Sequence, residues 1–489
     1  GETSFRGELL DSQGNPFDPL EYAVSLARER NLEIHAWLNP YRVTHLLASY
    51  TGGSGIKLTS TGEIVSSLEQ VRREWEQIPN TAFSRFGDYV KIGESRYVLD
   101  PGLPGARQWI TERVIEVVSR YDIDAIQFDD YFYPNNYDDR QTFLRYNTVE
   151  NNRISGAVHP DTALGHANWR RENTEMLIRD VSEAIKEVVP WVKFGISPGG
   201  VWLSAEGETG LDGGGFNSRT GSASTTSWTN FHSSYADTRR WVIEDIIDYI
   251  TPQIYWDWSH STAPYGAIAD WWGRLVFDYG VNGSLRNSQG EHTNTQVFIG
   301  VGIYRLEGNP PAKWSNATGY DMEGLKTLLR QEHYNIGNPN ISGSMFFTQN
   351  HTRPNRQSGM WETMQALQNT AWRYPALVPP MPHLGGIAPR NPENIRIEGN
   401  YLVWDNMEDS TDELVRPRYF VVYHGDTPDI DLNNPRNIAA IVAAGSAGAN
   451  GALISESDDA QYSWRLPEDL RNRYFMVTAV NRLHDESRP

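Results

Sequence analysis

Cysteine is absent from this 489-residue sequence, and its absence excludes disulfide bonds, thiolate metal sites and a cysteine nucleophile together. Any metal would need oxygen or imidazole ligands, and neither a metal nor an organic cofactor is expected. Positive charge is also scarce: 43 Lys and Arg stand against 62 Asp and Glu, a net charge of −19. With no basic run to neutralise consecutive phosphates, nucleic acid is not an expected partner. No stretch approaches ~18 consecutive apolar residues, so no membrane span is expected. The start, Gly1-Glu2-Thr3-Ser4, lacks the basic residues and apolar core of a signal peptide, so an exported form would already have lost its signal.

Aromatic residues, by contrast, are abundant: 17 Trp, 24 Tyr and 16 Phe, or 12% of the chain. Trp and Tyr offer flat apolar faces for the C–H faces of sugar rings and a polar edge for hydroxyls. Large barrels bury many aromatics as well, so composition alone leaves both readings open. The length exceeds what one core usually organises, which points to one large and one small domain.

Up to about residue 375, short β-rich runs alternate with amphipathic helical segments, the mark of parallel βαβ units. Helices are expected at 19–30, with Asp18 as N-cap and Pro19 at the first helical position, and at 106–121, 169–189 and 235–245. Strands are expected at 32–38, 123–128, 192–197, 248–256, 297–304 and 342–347. Most of them end in polar and aromatic residues, where a (β/α)₈ barrel of the TIM type builds its active-site face. The domains are therefore expected as a barrel over 1–375, a Pro-rich linker over 376–390 and an all-β sandwich over 391–489. In the last, Tyr401-Leu402-Val403-Trp404, Tyr419 to Tyr423 and Tyr474 to Val480 resemble strands of a fibronectin type III module. Few contacts are expected across the linker.

The most informative segment is Ile123-Asp124-Ala125-Ile126-Gln127-Phe128-Asp129-Asp130-Tyr131-Phe132-Tyr133-Pro134. An apolar run buries a strand, and two adjacent carboxylates emerge at its carboxyl end. Adjacent carboxylates raise one another's proton affinity, which suits an acid or a base. They can equally cap a following helix or hold a structural arginine.

That segment, with Phe17-Asp18-Pro19-Leu20, His35 to Arg42, Leu99-Asp100-Pro101-Gly102, Trp169-Arg170-Arg171, Phe194 to Pro198 and Tyr249 to Trp256, resembles the bacterial glycosyl hydrolase-like family ten. The likeness covers about residues 5 to 350. It implies a barrel glycosidase with Asp129 and Asp130 as catalytic carboxylates. A glycosidase needs two carboxyl groups, and Asp257, after the sixth strand of the full barrel, is the candidate partner. Glu206, Glu208 and Asp237 lie on neighbouring segments. His35, Trp37, Asn39, Tyr41, Arg42 and Gln253 are candidate substrate-binding residues, with Trp202, Tyr255, Trp256 and Trp258 as candidate sugar platforms.

Members of that family begin with two strand units that have no match here, and the sandwich's last strand has none either. Both ends read as cut, with two readings open: the chain is a fragment, or a second chain completes the barrel. The function implied is endo-acting hydrolysis of a bacterial polysaccharide, such as a peptidoglycan glycan strand or an exopolysaccharide, by a secreted, periplasmic or cell-surface protein. The alternative is a noncatalytic glycan-binding or structural assembly protein.

Overall fold

The computed structural model describes residues 13–44, 72–148 (save 74, 95 and 135), 151, 165–205, 220–306, 322–349, 360–444, 452–453 and 461–488. At its centre is a curled, six-stranded, all-parallel sheet. Its strands are β1 (His35–Leu38), β4 (Ala125–Phe128), β5 (Lys193–Ile196), β6 (Tyr249–Ile250), β7 (Gln296–Val301) and β8 (Gly343–Phe346), in that order across the sheet. A short antiparallel hairpin, β2 (Val90–Gly93) and β3 (Arg96–Leu99), is inserted between β1 and β4. The sheet is a parallel half-barrel. Its two margins meet at the carboxyl end, where Trp37 of β1 and Phe347 after β8 pack edge to face with ring centroids 6.0 Å apart.

A strand forms within each of the six expected runs, shortened most over 248–256, where only Tyr249–Ile250 pairs, and the central strands are apolar runs buried on both faces. All four residues of β4 and of β5 are buried. The expected helices form with small shifts that local chemistry explains. Pro19–Glu29 starts where the Asp18 carboxylate accepts hydrogen bonds from the Leu20 and Glu21 N–H groups, at 3.0 and 3.2 Å. Such a cap contributes about 1 kcal/mol. The second helix starts two residues early, at Pro104–Arg120, because Pro104 occupies the first turn, where no N–H is needed. The third spans His166–Val188. The fourth shortens to Thr238–Ile243, starting where the Asp237 side chain caps its first turn.

The C-terminal region is antiparallel. One sheet holds β9 (Glu393–Glu398), β10 (Tyr401–Asp405), β13 (Ala452–Leu453) and β14 (Gln461–Arg465); the other holds β11 (Tyr419–Gly425), β12 (Ile438–Ala443) and β15 (Tyr474–Val480). Leu402 and Trp404 from the first sheet share one core with Phe420, Val422, Val477 and Ala479 from the second.

The joint between the regions differs from the expectation of few contacts. Met381 and Leu384 from the Pro-rich segment and Leu483 from the turn after β15 are buried with Ala125 and Tyr249 at the amino end of the half-barrel. Charged groups surround this apolar plug. Arg418 reaches Asp124 at 2.5 Å and Arg482 reaches it at 3.2 Å. His383 stands 3.0 Å from Asp248, and His484 2.7 Å from Glu33. The physical reason is the open floor of the sheet: its buried carboxylates need partners, and the C-terminal region supplies them. Among the described residues, no helix is long and apolar enough to cross a membrane.

Candidate active site

The end of β4 delivers Asp129 and Asp130 into a cavity of about 700 Å³ at the carboxyl end of the sheet. Asp129 is 7% exposed. Its Oδ1 accepts hydrogen bonds from Gln253 Nε2 at 2.8 Å and from the Asp130 N–H at 2.9 Å. Gln253 also donates to the Ser197 carbonyl at 2.8 Å, so its amide is held from two sides. The cavity walls are aromatic: Trp37, Tyr131, Tyr255, Tyr304 and Phe347 line it, and the Tyr255 and Phe347 rings are near-parallel, centroids 6.2 Å apart.

The two carboxyl groups differ electrically. Burial, then the neighbouring charge of Asp129, push Asp130 up to about 7. Burial also raises Asp129, but the Asp130 N–H, Gln253 and Arg42 oppose the shift. The pair is therefore unequal: Asp130 keeps its proton up to about neutral pH, while hydrogen bonds and Arg42 favour the charged form of Asp129, the division of labour that acid catalysis uses.

A second cavity, of about 260 Å³, opens on the other side of Asp130. Tyr131 stands in it with the Arg42 and Arg96 guanidinium groups 4.5 and 4.9 Å from its ring centroid. Glu94, on the β2–β3 turn, lines the same cavity as Asp130, and its charge contributes to the rise of Asp130.

The structure brings together only some of the residues singled out from sequence. Asp129, Asp130, Trp37, Gln253 and Tyr255 line the larger cavity, and Tyr41, Arg42 and Asp130 line the smaller. Asn39 lines neither, and its Oδ1 is buried. His35 lies below the cavity, against Tyr249 and Glu33. Asp257 is buried within its own turn, where its Oδ1 accepts from the Ser259 N–H at 2.8 Å and Oγ at 3.0 Å; it lines neither cavity. Trp202 stacks on Trp271 and donates to Asp237, Trp256 packs against the core, and Trp258 packs on Tyr265 and Tyr334. Trp202 is buried, Trp256 and Trp258 are partly buried against the core, and none of the three lines either cavity. Glu206 and Glu208 lie outside the described residues.

Sequence reading passed over Glu94, Arg96, Tyr131, Tyr304 and Phe347. Tyr131 directly follows the Asp pair, and Phe347 ends an expected strand, so position alone was a signal for both. Glu94 and Arg96 lie on a hairpin outside the βα repeat and carry no such signal.

The fold is a parallel half-barrel that presents acid residues and aromatics at its carboxyl end, the face on which barrel enzymes carry their sites. The chain belongs to the family described as Glycosyl hydrolase-like 10, whose model matches residues 4–283. Among relatives, the Escherichia coli (strain K12) protein named Glycosyl hydrolase DigH is 33% identical over 360 residues, covering 72% of this chain and 68% of its own. The Bacillus subtilis (strain 168) protein named Glycosyl hydrolase YngK is 28% identical over 485 residues, covering 96% of this chain and 77% of its own. Among solved structures, the glycoside hydrolase domain of PgaB (BpsB) from Bordetella bronchiseptica is 12% identical at a TM-score of 0.33, covering 71% of this chain and 77% of that one.

Proposed function

We propose that the protein is a glycoside hydrolase, endo-acting on a bacterial polysaccharide such as a peptidoglycan glycan strand or an exopolysaccharide. The observation that carries this reading is the unequal Asp pair beside an aromatic-lined cavity. Asp130, protonated near neutral pH, is placed to give its proton to the glycosidic oxygen as the bond to the anomeric carbon breaks. Asp129, held by Gln253, supplies the carboxylate that faces the positive charge developing on the sugar. Glu94 lines the smaller cavity with Asp130, which makes it the candidate for activating water where the anomeric carbon lies at Asp130, between the two cavities. Tyr255, Phe347 and Trp37 supply stacking surface for rings on either side of the cleaved bond.

Membership of a glycosyl hydrolase-like family and relatives named as glycosyl hydrolases support the reaction class. The same reading divides the chain into a catalytic unit over 1–375, a joint over 376–390 and a fibronectin type III-like module over 391–489. Two antiparallel sheets sharing the Trp404 core support the last. A secreted, periplasmic or cell-surface location accords with the polymers proposed.

The test is release of reducing ends from a panel of bacterial glycans, with the Asp130→Asn protein beside the parent. Release by the parent that disappears in the variant supports hydrolysis. Tight binding of a glycan with no release by the parent would show a glycan-binding protein instead.

A further inference from the structure

Below the Asp pair, the interior of the half-barrel holds an unbroken chain of polar groups. Gln127 precedes Asp129 by two residues along the β4 direction, so both side chains point to one face, and both line the larger cavity. Gln127 Oε1 accepts a 3.1 Å hydrogen bond from the Tyr249 hydroxyl. The Tyr249 oxygen lies 2.8 Å from His35 Nδ1, and His35 Nε2 lies 3.0 Å from Glu33 Oε2. Glu33 is also met by Lys193 and, at 2.7 Å, by His484 Nε2 from the C-terminal region.

A phenol has one proton to give. The Tyr249 hydroxyl gives it to Gln127 Oε1. Burial works against the Glu33 charge, but hydrogen bonds from His35 and His484, with Lys193 beside them, hold its carboxyl well below the usual range. Glu33 is therefore an acceptor at the base of the chain. At the far end, the Gln127 carbonyl is engaged, and its NH₂ is the group left to offer the cavity.

The Tyr249 ring has little freedom to break this order. It is buried, packs edge to face on Phe298 at 5.9 Å, and lies against Gly195, where any Cβ would overlap the ring.

We infer that Gln127 is a substrate-binding residue that donates a hydrogen bond to a glycan oxygen beneath the Asp pair, with Tyr249, His35, Glu33 and His484 as positioning residues that fix its amide. The inference rests on the proposed reading of the cavity as a glycan site. It makes the C-terminal region part of the substrate-binding machinery, since His484 anchors the chain's base.

A double-mutant cycle on the intact chain tests this, with oligosaccharides from peptidoglycan glycan strands and chitohexaose as probes. Hydrolysis is read by reducing ends and affinity by calorimetry. Gln127→Leu should lower kcat/KM about tenfold, which is the loss of roughly one hydrogen bond. Tyr249→Phe should lower it about three- to tenfold while Tm stays near the parent's. The double variant should be no worse than Gln127→Leu alone, within about twofold, because both changes remove the same donor. His484→Ala should act in the same direction and His484→Gln, whose amide can still donate to Glu33, should restore most of the loss.

Effects that multiply in the double variant, or an unchanged Gln127→Leu, overturn the inference. If the parent binds a probe without cleaving it, the cycle is read on affinity and only the hydrolytic reading falls. Binding of neither probe overturns both.

Discussion

Asp124 and Asp129 bracket β4: one precedes the strand and holds Arg418 and Arg482 of the C-terminal region, the other follows it and lines the candidate active site. About 17 Å of extended chain separates them. The strand thus ties the joint at the floor to the chemistry at the mouth.

The acid pair is the first place to test. Asp130→Asn removes the proton donor and Asp129→Asn the facing charge. Each should lower kcat by about 10²–10⁴ with the fold retained. Steady-state rates together with circular dichroism check this; near-parental turnover by both variants would sink the assignment.

A pH profile should report Asp130 directly. The acid is needed protonated, and its carboxyl titrates at about 7. Activity should therefore fall as pH rises through neutrality. In Asp129→Asn, the neighbouring charge that helps hold the proton is gone, so any residual activity should lose its alkaline limb at lower pH. An alkaline limb that does not move in that variant would separate it from Asp130.

Glu94 and Asp257 are the two candidates for the second carboxyl role, and their surroundings differ. Glu94 lines the cavity it shares with Asp130 and stands 3.7 Å from the Arg96 guanidinium, whereas Asp257 lines neither cavity and accepts from Ser259 within its own turn. Glu94→Gln should cost at least about tenfold in kcat. Asp257→Asn should leave substrates with activated and natural leaving groups equally affected. Selective loss on natural leaving groups in Asp257→Asn would restore it as the acid.

The floor should be acid-sensitive. Hydrogen bonds and cationic partners hold the carboxyls of Asp124, Glu33 and Asp248 below their usual range against the opposing effect of burial. Their contribution to stability is full above the ordinary carboxylate range and is lost as pH falls through their lowered values. Tm should hold from neutral pH down to about 5 and drop below about 4. Asp124→Asn, which leaves the buried Arg482 and the half-buried Arg418 short of a counter-charge, should cost about 3–5 kcal/mol at pH 7. A chain ended near residue 377 should likewise be poorly soluble or unstable, because Leu483 no longer covers Ala125 and Tyr249. A soluble, cooperative and fully active truncated chain would show that the floor contacts are dispensable.

What the sequence by itself determined is local. Six apolar runs became six parallel strands, and Asp18 and Pro104 set helix starts through neighbouring backbone groups. The position of Asp129 and Asp130 at a strand's carboxyl end followed from the run before them. What only the tertiary structure decided is which side chains face one another across the curl. Gln253 meets Asp129 from 124 residues away, and Arg418 meets Asp124 from 294. The same holds for the tryptophans: Trp202, Trp256 and Trp258 have the composition of sugar platforms, but Trp202 is buried against Trp271 and the other two pack partly buried on the core, while Trp37 at the sheet's margin stayed 52% exposed. Periodicity specifies the face a residue takes within its own element. Whether that face meets core, cavity or solvent depends on contacts made by distant segments, and these form only when the whole sheet closes.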